Sequence, residues 1–212
     1  MDDNELVLLV DMDGTLVDSD EAQVRSWTAW AAGHRLNPGP FLDAQGRTAR
    51  DKITEFAPWL DVESETRRIA AMEAEERSGV RALPGALDLW RSNQRFAVVT
   101  SADEKLARVR LDAAGLDVRR PETIVTADDV TKGKPDPEPY LLAARRLGVD
   151  PARCTVVEDA PAGVEAGLAA GMEVVALTTT AHERDVAFAH IVVRTLDELL
   201  LTHSDTIRKV AL

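Results

Sequence analysis

Cysteine is nearly absent: Cys154 is the only one in 212 residues, which rules out an internal disulfide and a cysteine-rich zinc site. That usage fits a reducing compartment, and the cytoplasm is the expected location. Long apolar runs are missing as well. The start, Met1-Asp2-Asp3-Asn4-Glu5, is acidic rather than basic, and the run behind it covers only residues 6–10, so neither a signal peptide nor a membrane span is expected there. Positive charge is scarce: 25 Lys and Arg against 37 Asp and Glu leave a net charge of -12. Nucleic acids and anionic membranes are held mainly by clustered Lys and Arg, so neither is an expected partner. There is no internal repeat and no low-complexity segment. The expected ligand is a small molecule, and a monomer is the default assembly.

What is present reads as an ordinary globular protein, with 45% hydrophobic residues and length enough for one full core plus a modest second lobe. Short apolar runs recur at 6–10, 96–99, 123–125, 155–157, 174–177 and 191–193, with helical patterns between most of them. Such alternation predicts an α/β fold, a Rossmann-like doubly wound parallel sheet covered by helices. Pro84-Gly85 opens one helix, Asp103 can cap a second that stops at Gly115, and a third runs from Pro137 to a stop at Gly148.

Between the first two runs lie about 85 residues with no convincing strand, far more than one crossover helix requires. Helical patterns at 21–32, 48–57 and 62–78 make this an inserted lobe. The expected division is a catalytic core of residues 1–17 and 84–212, with a helical cap at 18–83. Trp27 and Trp30, three apart on a helical pattern, read as packing inside that cap. His34, His182, His190 and His203 have no metal-ligand spacing and are assigned surface or capping roles.

Val10-Asp11-Met12-Asp13-Gly14-Thr15-Leu16 sets two carboxylates just after the first strand, where open parallel sheets bind ligands. Residues i and i+2 of an extended segment face the same way, so Asp11 and Asp13 can address one site. Later runs also end in polar groups, Val98-Val99-Thr100-Ser101 and Val156-Val157-Glu158-Asp159. Lys132-Gly133-Lys134-Pro135-Asp136-Pro137 adds a cation before a helix amino terminus, where the backbone dipole also favours an anion. Singly, each has a plain structural alternative: Asp159 or Ser101 capping the next helix, Lys134 solvated in a loop. Jointly, successive strand ends carrying four carboxylates, a hydroxyl and a lysine describe a reaction centre.

These segments resemble the four motifs of the haloacid dehalogenase superfamily, in its phosphatase branch. Asp-Met-Asp-Gly-Thr-Leu, Lys-Gly-Lys-Pro-Asp-Pro-Glu-Pro-Tyr at 132–140 and Glu-Asp-Ala-Pro-Ala-Gly-Val-Glu-Ala-Gly at 158–167 stand in the family's order and spacing, and the later ones look closest to phosphatases of glycerol phosphate, deoxyglucose phosphate and similar sugar phosphates. The resemblance implies a Mg²⁺-dependent phosphatase of a small phosphorylated metabolite, with an aspartyl-phosphate formed on Asp11. Asp11 and Asp159 would be direct metal ligands, with Asp13 contributing its backbone carbonyl and Glu158 acting mainly through water. Asp13 would serve as general acid and then general base. Lys134 would neutralise phosphate oxygens, and Ser101, with Thr100 as the register alternative, would hold the phosphoryl group together with the backbone N–H of Ala102.

The family's helical cap presents a substrate loop, for which Gln45-Gly46-Arg47-Thr48 is the matching segment here. Gly46, Arg47 and Thr48 are therefore candidate substrate contacts, although Arg47 is equally a helix-start arginine. Related sugar phosphatases often carry histidine where Gln45 stands. β-Phosphoglucomutase, a more distant resemblance, would use the same aspartates, metal and lysine to return the phosphoryl group to a sugar. In that mutase a histidine follows the first motif, and the corresponding Gln23 favours hydrolysis. Asp13 argues against a dehalogenase. A catalytically silent metabolite sensor is the alternative outside enzymes, since fold alone does not prove activity.

Overall fold

The computed structural model describes residues 6–202; the acidic segment 1–5 and His203 lie outside the described residues. In chain order the elements are β1 (Val7–Val10), β2 (Val17–Asp18), α1 (Asp20–His34), α2 (Gly39–Asp43), α3 (Ala49–Phe56), α4 (Val62–Glu75), β3 (Arg81–Ala82), α5 (Ala86–Arg91), β4 (Phe96–Val99) and α6 (Glu104–Ala113). There follow β5 (Ile124–Val125), α7 (Glu138–Leu147), β6 (Cys154–Glu158), α8 (Pro161–Ala169), β7 (Glu173–Leu177), α9 (Glu183–Val186), β8 (Ile191–Val193) and α10 (Leu196–Thr202).

The six apolar runs form one parallel sheet in the order β5-β4-β1-β6-β7-β8. The chain steps outward from β1 through β4 to β5, then returns to β6 on the other side. That reversal opens a crevice beside the carboxyl end of β1. Because strand side chains alternate, neighbouring residues feed two cores. Leu8 and Val10 join Phe96, Val98 and Val157 under Leu89 of α5, Leu106 and Leu111 of α6 and Leu199 of α10. Val7 and Leu9 join Ala97, Val99 and Val156 under Tyr140 of α7 and Val164 of α8. Burying each such Val or Leu contributes about 1.5–3 kcal/mol, which is why these strands read as continuous apolar runs.

Local signals act as the sequence suggests. Asp103 accepts the Leu106 N–H at 2.7 Å, and Gly115 and Gly148 take positive φ beyond their helices. The insertion builds a third core of its own, where Trp27 stacks on Phe41 at 5.4 Å between ring centroids and Trp30 meets both edge-on beside Ile53 and Ile69. One reading is corrected. The interval before β4 is not free of strands, because β2 and β3 pair antiparallel, Val17 with Ala82 and Asp18 with Arg81, and brace the two passages between core and cap. Two-residue strands are too short for periodicity to register.

Candidate active site

Register delivers the strand ends to one place. Val10 lies beside Val98 on one side and Val157 on the other, so the residues after these strands emerge together at the sheet's carboxyl edge. The Asp11 N–H donates to the Val157 carbonyl at 2.9 Å, carrying the pairing one residue past β1. The Asp11 carboxylate then meets Lys134, whose Nζ donates to Asp11 Oδ1 at 2.5 Å, Glu158 Oε1 at 2.6 Å and the Val99 carbonyl at 2.9 Å. This lysine is 1% exposed, so the solvated-loop alternative fails.

Glu158 is saturated by its own chain. Its Oε1 also accepts the Tyr140 hydroxyl at 2.9 Å, and Oε2 accepts the N–H groups of Asp159 at 3.0 Å and Ala160 at 3.2 Å. Asp159 does not cap α8, because its oxygens accept the hydroxyls of Thr15, at 3.0 Å, and Thr180. Asp11, Glu158 and Asp159 thus bring buried carboxylate oxygens within 4.8 Å of one another.

The charges do not balance. Three carboxylates face one ammonium, a formal excess of two negatives in a site screened from water. Burial is the largest influence on Asp11 and, with Glu158 beside it, holds the Asp11 carboxyl well above the usual range despite Lys134. Burial and Glu158 likewise lift Asp159 to about 7, against the pull of Thr180 and Thr15. For Lys134, burial works against the charge, but Asp11 and Glu158 outweigh it and raise the pKa. Asp11 keeps its Oδ2 free of hydrogen bonds among the described residues. An all-oxygen donor set with two uncompensated charges fits a hard divalent cation such as Mg²⁺, with Asp11 and Asp159 as the carboxylates that would hold it and Glu158 anchoring Lys134 behind them.

Gly14 makes this packing possible. It sits at φ +84°, and a Cβ there would lie 2.1 Å from Asp159 Oδ2. Gly14→Ala is therefore expected to cost about 1–3 kcal/mol in backbone strain alone and to displace Asp159. Thermal unfolding with and without Mg²⁺ checks this, the expected outcome being a lower midpoint and a smaller rise on adding metal.

Asp13 stands outside the carboxylate group. Its Oδ1 accepts the Ser19 hydroxyl at 2.6 Å, itself bonded to Gln23 Nε2 at 3.0 Å, and its Oδ2 accepts Arg110 Nη1 at 2.6 Å. The second arm of Arg110 reaches Glu73 on α4 at 2.9 Å, so one guanidinium joins core to cap. Burial pushes the Glu73 carboxyl up although Arg110 opposes it. Sequence reasoning missed Arg110, Glu73 and Lys52. A signal existed, because each occupies an apolar register: Arg110 with Leu106 and Leu111, Glu73 with Ile69, Lys52 with Ile53 and Phe56. Tyr140 and Thr15 lay within the quoted motifs without an assigned role, and Thr180 had no distinguishing mark.

The remaining expected contacts lie where cap meets core, around a cavity of about 570 Å³. Ser101 Oγ donates to the Gly46 carbonyl at 2.6 Å, and Thr100 Oγ1 accepts the Ala102 N–H at 3.1 Å. Gly46, at φ +78°, passes so close to Ala160 that a Cβ would lie 2.9 Å from the alanine methyl. Thr48 caps α3, accepting from Asp51 N at 3.1 Å and donating to Asp51 Oδ2 at 2.6 Å. Arg47 pairs with Glu55 at 2.6 Å, while its Nε is buried without a partner. The described histidines stay apart from the site: His34 bonds Glu65 at 2.9 Å, His190 Nδ1 accepts the Val174 N–H at 3.1 Å, and His182 precedes α9 as its cap residue.

The sequence model of the haloacid dehalogenase-like hydrolases matches residues 6–171. Hexitol phosphatase A of Escherichia coli (strain K12) is 41% identical over 202 residues, covering 92% of this chain and 93% of that protein. Validoxylamine A 7'-phosphate phosphatase of Streptomyces hygroscopicus subsp. limoneus is 34% identical over 211 residues, covering 93% and 97%. Among solved structures, a hydrolase from Pseudomonas syringae superposes with a TM-score of 0.84 at 24% identity, covering 95% of this chain and 99% of that one, a likeness of fold.

Proposed function

The chain belongs to the haloacid dehalogenase-like hydrolase family and is a phosphoric monoester hydrolase, and from that premise we propose that it hydrolyses a sugar or polyol phosphate with Mg²⁺, through a phosphoryl-enzyme formed on Asp11. The observation that carries this reading is the buried triad of Asp11, Glu158 and Asp159 with Lys134 as its sole ion-pair cation among the described residues. When bound, the metal supplies the positive charge that lets an anionic substrate approach an anionic nucleophile.

In the first step an Asp11 oxygen attacks phosphorus, the new P–O bond forms, and the bond to the leaving alkoxide breaks. Lys134, fixed by Glu158 and the Val99 carbonyl, restrains Asp11 and offers its charge to the phosphoryl oxygens. Asp13 passes a proton to the alkoxide, then takes one from the water that cleaves the acyl-phosphate. To do so it must release Ser19 or Arg110, its present partners. Ser101 can likewise address phosphate only by leaving the Gly46 carbonyl, which ties phosphate binding to movement of the cap at 18–83. Gln23, bonded to Ser19, stands where the mutase family has histidine, and this favours water over a second sugar hydroxyl as the acceptor.

The test is phosphate release from a panel of hexitol, glycerol and hexose phosphates. Release dependent on Mg²⁺, abolished by EDTA and restored by added metal, is the expected result. A folded, metal-supplied protein that releases phosphate from no member of the panel would sink the reading.

A further inference from the structure

Lys52 is the least explained charge in the molecule. It lies on the inner face of α3 and is 5% exposed. Among the described residues its ammonium has no hydrogen bond and no ion pair; it lies over the Trp27 ring, 5.2 Å from Nζ to centroid. It lines the cavity between cap and core, as do Arg47 and Thr66, whose buried Nε and Oγ1 also have no partner. Buried polar groups are ordinarily paired, and two buried unpaired atoms beside an ammonium that has no hydrogen bond, all on one cavity, define what is missing. Lysine and the arginine Nε can only donate, so the missing groups are acceptors.

Charge separates a neutral acceptor from an anion. Lys52 and Arg110 are countered by Glu73 and Asp13, all lining this cavity, and Arg47 is countered by Glu55. Across the whole lining, with Arg50 and Arg67 included, eight carboxylates face five cations, so no excess positive charge remains to recruit a second phosphate or a carboxylate.

We propose that Lys52, with Thr66 and the Nε of Arg47, forms a subsite for the hydroxyl oxygens of an extended polyol chain, at the end of the substrate remote from its phosphate. This rests on the phosphatase reading above and specifies the substrate class: a long hydroxylated chain rather than a three-carbon one. Burial pushes the Lys52 ammonium down to about 8 although Glu73 opposes the shift, so carrying the charge at neutral pH is a cost to the free protein.

Binding measured in an Asp11→Asn background keeps the test independent of turnover. Sorbitol 6-phosphate and glycerol 1-phosphate are titrated calorimetrically with Mg²⁺ into that variant with and without Lys52→Met. The expected result is a loss of about ten- to a hundredfold in affinity for sorbitol 6-phosphate, the worth of one hydrogen bond from a charged donor, with less than about a threefold loss for glycerol 1-phosphate. The melting temperature of the free protein is expected to rise. Thr66→Val, nearly isosteric, is the second variant, expected to weaken sorbitol 6-phosphate by about fivefold and to decide the matter if Lys52→Met does not fold. Equal losses for both probes, no loss for either, or no binding of sorbitol 6-phosphate to the Asp11→Asn protein would overturn the subsite. Failure of the wild type to release phosphate from any member of the hexitol, glycerol and hexose phosphate panel would instead overturn the phosphatase reading, while the binding ratio still decides the role of Lys52.

Discussion

An Asp11→Asn variant is expected to lose phosphate release by at least about 10⁴-fold while remaining folded, as removal of a covalent nucleophile does elsewhere. The amide has nearly the shape of the carboxylate, and its Oδ1 can still accept from Lys134. That lysine also keeps Glu158 at 2.6 Å and the Val99 carbonyl at 2.9 Å. What disappears is the nucleophilic oxygen and one of three buried negative charges. Because those charges outnumber the one ammonium beside them, the metal-free variant is expected to melt no lower than the wild type. The rise in melting temperature on adding Mg²⁺ should shrink. Phosphate release and thermal unfolding, run on the same preparation, separate lost chemistry from lost folding. Residual turnover above about one part in a hundred would remove Asp11 from the nucleophile's role.

Lys134→Met is expected to act through stability as well as chemistry, and with the opposite sign. Lys134 is 1% exposed and is the ion-pair partner of both Asp11 and Glu158. Removing one member of a buried ionic group leaves the rest uncompensated, typically at about 3–5 kcal/mol. Glu158, which is fully buried and whose other donors are a tyrosine hydroxyl and two backbone N–H groups, has no route to solvent. Urea unfolding should show a midpoint far below the wild type's, recovered in part by Mg²⁺, which would supply cationic charge to the same carboxylates. Activity should fall by about 10³-fold or more even where Mg²⁺ has restored folding, because the phosphoryl oxygens lose a fixed cation. A midpoint within about 1 kcal/mol of the wild type would mean that Lys134 is not what balances these charges.

The two variants differ in sign because the site holds too much of one charge. Removing a negative group relieves it, and removing Lys134, its ion-pair cation among the described residues, aggravates it. An ordinary surface ion pair, worth about 0–1 kcal/mol, would show neither effect clearly.

Much of the architecture was legible before any coordinates. Runs at 96–99 and 191–193 are strands over those same residues, and the helix stops at Gly115 and Gly148 lie where glycine's tolerance of positive φ predicts. These are local properties, since apolar strands buried on both faces and glycine after a helix each leave a mark within a few residues. The gathering of Asp11, Lys134, Glu158 and Asp159 was also legible, because in a parallel sheet every strand ends at the same edge. Register was not. Nothing in Val98-Val99-Thr100-Ser101 says that the Ser101 hydroxyl would face the Gly46 carbonyl while Thr100 turns to Ala102.

The sequence by itself determined an α/β sheet with a helical insertion and the composition of an acidic, phosphate-handling edge, because periodicity and motif order are one-dimensional facts. Only the tertiary structure decided that Asp13 is held by Arg110, that Arg110 is shared with Glu73 of the cap, and that the ammonium of Lys52 has no hydrogen bond among the described residues. The Arg110 contacts join α6 to α4 and to the segment after β1, across the gap between two lobes. A charged residue at an apolar register announces that it is buried, but its partner depends on how two separately folded surfaces meet, and no local pattern encodes that meeting.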